Sequence, residues 1–277
     1  MNRRKFVIGA ATGLTATASG ALILAKGFAP PVPEKHQPEH LQPGMLNPAE
    51  DPWVYHELDP QTTADRAYQL YPEGNCMYAL FGSVMIQFAE LYGEPYSSFP
   101  IAMMKYGASG IGEYGTICGA LNGAAALFGL FVREKSHLNA LVEDLFTWYE
   151  QSTLPVYTPK DPKYTIEQSV SDSVFCHAST ANWIRVSGHR IDSKERSDRC
   201  SRLTADVARK IVGMLNNYFM SSYETTTAMN QETSTCIQCH SHEGKLGNIR
   251  GKMVCTSCHD KSLAHTLFAD IHYKIMD

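Results

Sequence analysis

The sequence predicts a mainly α protein: a helical domain followed by a short C-terminal segment of different composition. Three observations carry that expectation. Apolar residues recur at helical spacing in five segments between residues 62 and 222. Strand signals are nearly absent there, and no internal repeat appears. After a polar, Thr-rich stretch at residues 223–235, the chain changes to a short tail dense in Cys, His and Gly.

The elements follow in chain order. Residues 1–29 have the layout of a signal peptide: Arg3 and Arg4, a mild apolar run over 7–24, then Lys26-Gly27-Phe28-Ala29. The Arg-Arg pair and the weak hydrophobicity point to the twin-arginine route, although Asn2 stands where Ser or Thr is more usual. The alternative is a retained anchor. The run has about the length to span a bilayer, but its Gly and Thr content makes it a poor span. The expectation is therefore a periplasmic protein, exported folded and cleaved, with no stable membrane insertion afterwards. Folded export suits a chain that acquires a cofactor inside the cell.

Residues 30–61 are expected to form an arm or linker, because seven of the fourteen prolines lie between Pro30 and Pro52. The helical domain is expected over 62–222. Residues 76–92 are apolar on most faces and predict a well-buried helix. Residues 117–132, rich in Ala and Gly, predict a second that lets neighbours approach closely. Residues 138–151 are amphipathic, and 173–186 make a fourth segment. Residues 203–221 are the clearest, with Leu203, Val207, Ile211, Leu215 and Tyr218 at helical spacing. Residues 223–277 form the tail.

Bulk composition excludes little. The 277 residues carry a net charge of -4 with 19% charged residues, and no Lys/Arg run suggests a nucleic-acid partner. The unusual entries are eleven histidines and eight cysteines.

The tail contains Cys236-Ile237-Gln238-Cys239-His240 and Cys255-Thr256-Ser257-Cys258-His259. This is C-x-x-C-H twice within 24 residues. Two thiols at that spacing form thioethers to the vinyl groups of one haem, and the next residue, His, becomes the proximal iron ligand. The tail is thus expected to be a dihaem-binding segment, with His240 and His259 proximal. A four-cysteine zinc ribbon also matches the C-x-x-C spacing, but leaves both histidines unexplained. A thiol–disulfide pair lacks a strand-to-helix setting. Only fifteen residues separate Cys239 from Cys255, and Gly244, Gly247 and Gly251 among them suit a tight reversal. Two haems held so closely must touch each other or the rest of the protein. His242, His265 and His272 are the distal candidates, with Met253 and Met276 weaker ones. His242 lies too near His240 to reach the far face of the same haem. His265 lies ~9 Å along a helix from His259. These residues would serve the other haem, or one in another subunit.

Cys76, Cys118, Cys176 and Cys200 remain, each without a close sequence neighbour. All fall near predicted helix starts or within helices, and Cys200 is placed in a turn just before the fifth helix. Helix N-termini stabilise thiolates, and four thiolates gathered there can hold an iron–sulfur cluster. Two disulfides or four buried structural thiols are the alternatives; the export route favours a cluster. Gly110-Ile111-Gly112-Glu113-Tyr114-Gly115 fits G-x-G-x-x-G, but without a preceding strand it reads as a tight turn leading to Cys118.

The cysteine near residue 76, the run Cys118-Gly119-Ala120-Leu121-Asn122-Gly123, and Phe175-Cys176-His177-Ala178-Ser179 followed by Trp183 resemble the C-GCAxxG-C-C proteins. Joined to two C-x-x-C-H sites, the pattern over residues 62–277 is similar to the split-Soret cytochromes c. That resemblance implies a periplasmic homodimer with two closely stacked, bis-histidine haems c per chain. It also implies an iron–sulfur cluster, [2Fe–2S], on Cys76, Cys118, Cys176 and Cys200. The expected function is electron transfer; the alternative is a haem-based redox enzyme, such as a small-oxyanion reductase, with one open haem site.

Overall fold

The computed structural model describes residues 53–259, all within one compact unit. The expected signal peptide at 1–29, most of the Pro-rich segment, and the distal candidates His265 and His272 lie outside the described residues.

The protein is mainly α-helical. Helix α1 (Pro60–Tyr92) opens on Asp59, whose carboxylate accepts from Thr62 N at 2.7 Å, with Pro60 in the first turn where no N–H is needed. It breaks at Gly74 and Asn75. Asn75 takes φ 63°, and a Cβ on Gly74 would lie 2.4 Å from Tyr78 Cγ, so the break needs a glycine. Cys76 therefore starts a second helical stretch, the apolar one expected over 76–92. Its Met77, Leu80, Phe81, Val84, Met85 and Phe88 are all buried.

Helix α2 (Gly119–Phe131) and helix α3 (Lys135–Gln151) follow, then strands β1 (Thr153–Leu154) and β2 (Ser169–Val170) in a two-stranded antiparallel ribbon. Helix α4 (Cys176–Ser187) starts three residues later than the expected segment. Residues 173–174 form a bend instead, and Phe175, extended, pairs with Ile117 in an antiparallel bridge. Helix α5 (Lys194–Phe219) starts nine residues earlier than expected. Cys200 therefore lies in its second turn, not in a turn before it. The helix is begun by Ser193, whose Oγ accepts from Arg196 N at 3.0 Å, and its first two turns are mostly polar. Helix α6 (Gln231–His240) carries the first C-x-x-C-H.

The core lies between α1 and α5, closed by α2 and α3: Leu121, Leu127 and Phe128 of α2, Leu141 and Leu145 of α3, and Val207, Ile211 and Leu215 of α5. The last residues of the segment expected as an arm are seated in this core. Tyr55 and Leu58 are buried, and Tyr55 donates to Asn216 Oδ1 at 2.6 Å. Among the described residues, no helix is long and apolar enough to cross a membrane.

Candidate functional site

Cys76, Cys118, Cys176 and Cys200, spread over 124 positions, line one small cavity. Its ≈ 20 Å³ exceeds the about 10–15 Å³ that a single water requires. Each thiol arrives by a local device. The Gly74–Asn75 break turns Cys76 inward at a helix start. Cys118 is the residue just before α2, and Cys176 is the first residue of α4. These two are set side by side by the Ile117–Phe175 bridge: Cys118 N donates to Val174 O at 2.8 Å, and Cys176 N to Thr116 O at 2.7 Å. Cys200 shares the cavity with Leu203 and Thr204, and Cys176 shares it with Ser179 and Thr180. Both sets follow the i, i+3, i+4 rule for one helix face.

Close approach is built into α2. A Cβ on Gly119 would lie 2.4 Å from Cys76 Sγ and 2.5 Å from Gly107 O. The glycine-rich turn expected before Cys118 is present, with positive φ at Ser109, Ile111 and Glu113 as well as at its glycines. The Ser109 N–H is directed at Cys76.

All eight cysteines are free thiols, and Cys76 and Cys118 are buried. Burial pushes the Cys76 thiol well up, and the other three thiols add to the shift. Burial also raises Cys118, against a hydrogen bond from Tyr149 and the Ala120 and Leu121 N–H groups. Cys176 is pushed up to about 12, by burial first and then by Cys118 and Cys200. At Cys118 the N–H groups of the helix start oppose the rise, as expected, but burial outweighs them. A bound metal is what makes such thiols ionise.

The cavity also holds a cation that sequence reasoning missed. Arg199 is 1% exposed. Its Nη2 donates to Ser179 Oγ at 2.9 Å, its Nη1 lies 3.9 Å from Cys200 Sγ, and its Nε has no hydrogen-bond partner. Burial pulls its pKa down, and Cys200 and Tyr149 more than offset that. The Tyr149 hydroxyl, fully buried, lies 2.9 Å from Ser179 Oγ. A buried guanidinium facing thiols fits an anionic guest, and a four-thiolate iron–sulfur cluster is one. Among the described residues no three His, Cys, Asp or Glu side chains surround a single ion site. A dinuclear cluster asks for two thiolates at each iron instead. The adjacency of Arg199 to Cys200 was the available sequence signal.

In the tail, Cys236, Cys239 and His240 occupy one face of α6 at i, i+3, i+4. His240 Nδ1 lies 3.0 Å from Asn248 Oδ1, a contact of the kind that orients a ligating imidazole. The chain then reverses tightly: Gly244 N donates to Ser241 O, and Asn248 N and Ile249 N to His240 O. The second motif makes a helical turn, with His259 N donating to Cys255 O at 2.9 Å. Cys255 lies within hydrogen-bonding reach of Cys236, so the first thiols of the two motifs adjoin. Cys258 and His259 are exposed, and His242 points outward, 3.5 Å from Glu243. No distal histidine is brought over either motif among the described residues.

Residues 78–214 match a family model described as "Putative redox-active protein (C_GCAxxG_C_C)". That span holds Cys118, Cys176 and Cys200 and begins just after Cys76. The chain is 39% identical over 221 residues to the split-Soret cytochrome c of Desulfovibrio desulfuricans, spanning 76% of this chain and 79% of the relative. Its fold matches a solved structure described as "A novel iron centre in the split-Soret cytochrome c from Desulfovibrio desulfuricans ATCC 27774". The TM-score is 0.72 at 38% identity, covering 76% of this chain and 92% of that one. The helical scaffold, the cysteine pattern and these likenesses together place the chain in the split-Soret cytochrome c family.

Proposed function

We propose that the protein is a periplasmic electron-transfer protein, exported by the twin-arginine route and acting as a homodimer. Each chain carries two haems c, attached through Cys236 and Cys239 and through Cys255 and Cys258, with His240 and His259 as proximal iron ligands. Cys76, Cys118, Cys176 and Cys200 hold one [2Fe–2S] cluster. The helical domain at 62–222 houses the cluster, and the segment at 223–277 carries the haems, whose distal ligands come from His242, His265, His272 or a second subunit.

The observation that carries this reading is the convergence of four distant cysteines on one cavity beside the buried Arg199. When bound, the haems and cluster supply one-electron chemistry at low-spin and thiolate-ligated iron. The chain's own residues do the rest. Arg199 offsets thiolate charge, Tyr149 donates to Cys118, and Gly119 lets α2 close on Cys76 so that water is kept out. The relatives' names supply the haem and the iron centre.

The test is composition of anaerobically purified protein. The expected result is about two haems that survive denaturation, plus two further irons and two acid-labile sulfides per chain. Sedimentation should give twice the chain mass. Two irons per chain with no sulfide would defeat the cluster. Persistent high-spin haem would replace the carrier reading by a reductase with an open site.

A further inference from the structure

Helix α3 presents two neighbouring residues to two different sites. Tyr149 faces the cysteine cavity, and Glu150 faces the tail. Glu150 is 4% exposed, although a glutamate there has every sequence reason to be solvated. Its Oε1 accepts from Val254 N at 3.0 Å, in a buried contact across 104 positions. The Val174 N–H is directed at the same carboxylate. Its backbone carbonyl accepts from Asp172 N at 3.0 Å. On one side, Val174 O accepts from Cys118 N, the residue that lines the cavity. On the other, Val254 is buried and apolar and immediately precedes Cys255.

We propose that Glu150 is a positioning residue: its buried carboxylate registers the second haem-attachment segment against the wall of the cysteine cavity. The inference rests on the haem and cluster assignments above. A carboxylate suits this junction because it accepts from more than one N–H at once and has no donor of its own to leave unpaired. Nearby polar contacts add to the docking but are replaceable. Lys252 pairs with Glu143 at 2.5 Å on the exposed side, where such pairs contribute little.

The test uses the haem-loaded, full-length protein in three forms: wild type, Glu150→Ala and Glu150→Gln. Amide hydrogen exchange reads the contact directly. Glu150→Ala should speed exchange of the Val254 amide by about tenfold or more, while amides of α1 and α5 keep their protection. Glu150→Gln, which retains one acceptor oxygen, should recover most of it. Soret circular dichroism should change in the alanine variant and return toward wild type in the glutamine variant. Unchanged Val254 exchange in Glu150→Ala overturns the proposal. So does loss of protection spread equally over α1 and α5, which would mark a general stability role. If the alanine variant does not fold, the comparison of Glu150→Gln with wild type decides: a Val254 amide no faster than in wild type, with an unchanged Soret signal, supports it. Haem mass and sulfide content of the same wild-type sample test the underlying assignments separately.

Discussion

Arg199 carries a full charge at 1% exposure, and its hydrogen-bonding partners are a serine hydroxyl and a thiol. Leaving a charge buried without a counter-charge costs several kcal/mol, so the cavity must supply negative charge. In the proposed cluster, reduction would add one more negative charge beside that guanidinium. Arg199→Met should therefore lower the proposed cluster's reduction potential by roughly 60–120 mV, the worth of one charge-assisted hydrogen bond for a one-electron couple. Arg199→Lys should fall between. An electron-paramagnetic redox titration reads this, and an unchanged potential in Arg199→Met would remove the charge argument. Gly119 is constrained by space rather than charge. Adding a methyl 2.4 Å from Cys76 Sγ and 2.5 Å from a backbone carbonyl forces α2 away from α1. Gly119→Ala should lose about 1–3 kcal/mol in urea unfolding and should also weaken the proposed cluster, whose absorbance gives a second readout.

At the scale of the element, what was legible depended on who buries whom. The second stretch of α1 and helix α2 announced themselves, because their buried faces are continuous runs of apolar and small residues. The start of α5 did not. Its first turns bury Arg199, Ser201 and Arg202 rather than leucines, so apolar periodicity begins only at Leu203. A hydroxyl cap starts the helix instead, and Ser193→Ala should cost about 1 kcal/mol in urea unfolding. The docking of the tail was hidden for a related reason. Asp144 and Glu150 look like the solvated side of an amphipathic helix, yet both are buried by partners far along the chain. Asp144 accepts from Tyr223 and Thr226, and Glu150 from Val254. Asp206 on α5 ties down the segment after β1 in the same way, accepting from Val156 N and Tyr157 N. Burial raises its pKa, and those N–H groups and Arg209 only partly oppose this. An acid raised on folding binds protons better in the native state. Its contribution to stability therefore falls as pH rises from the ordinary aspartate range through the raised native value, and is constant above it. In Asp206→Asn that slope should disappear from the acid side of the stability profile, whatever the change in absolute stability.

At the scale of the whole molecule, the cavity is where α1, α2, α4 and α5 meet, although α2 lies far along the chain from α1, and α4 far from α2. A guest bound by one thiol from each would act as a cross-link between parts of the chain as far apart as residues 76 and 200. It binds the folded chain and has no equivalent site in the unfolded one, so its binding free energy adds to folding stability. The haems differ. The proposed thioethers would persist in the unfolded chain, so the haems would contribute only through the contacts they make when folded. Removing the proposed cluster with a chelator under reducing conditions should therefore leave the two proposed haems attached and lower the melting temperature by roughly 5–15 °C, at about 2–4 °C per kcal/mol for a domain of this size. Serine at any one of Cys76, Cys118, Cys176 or Cys200 should reproduce most of that loss. The four variants should also melt alike, because losing any corner of the cross-link releases the same guest. A cluster-depleted protein that melts at the holo temperature, with its haem count unchanged, would show that the four helix segments are held together without the guest. The convergence of thiols would then be a consequence of core packing alone.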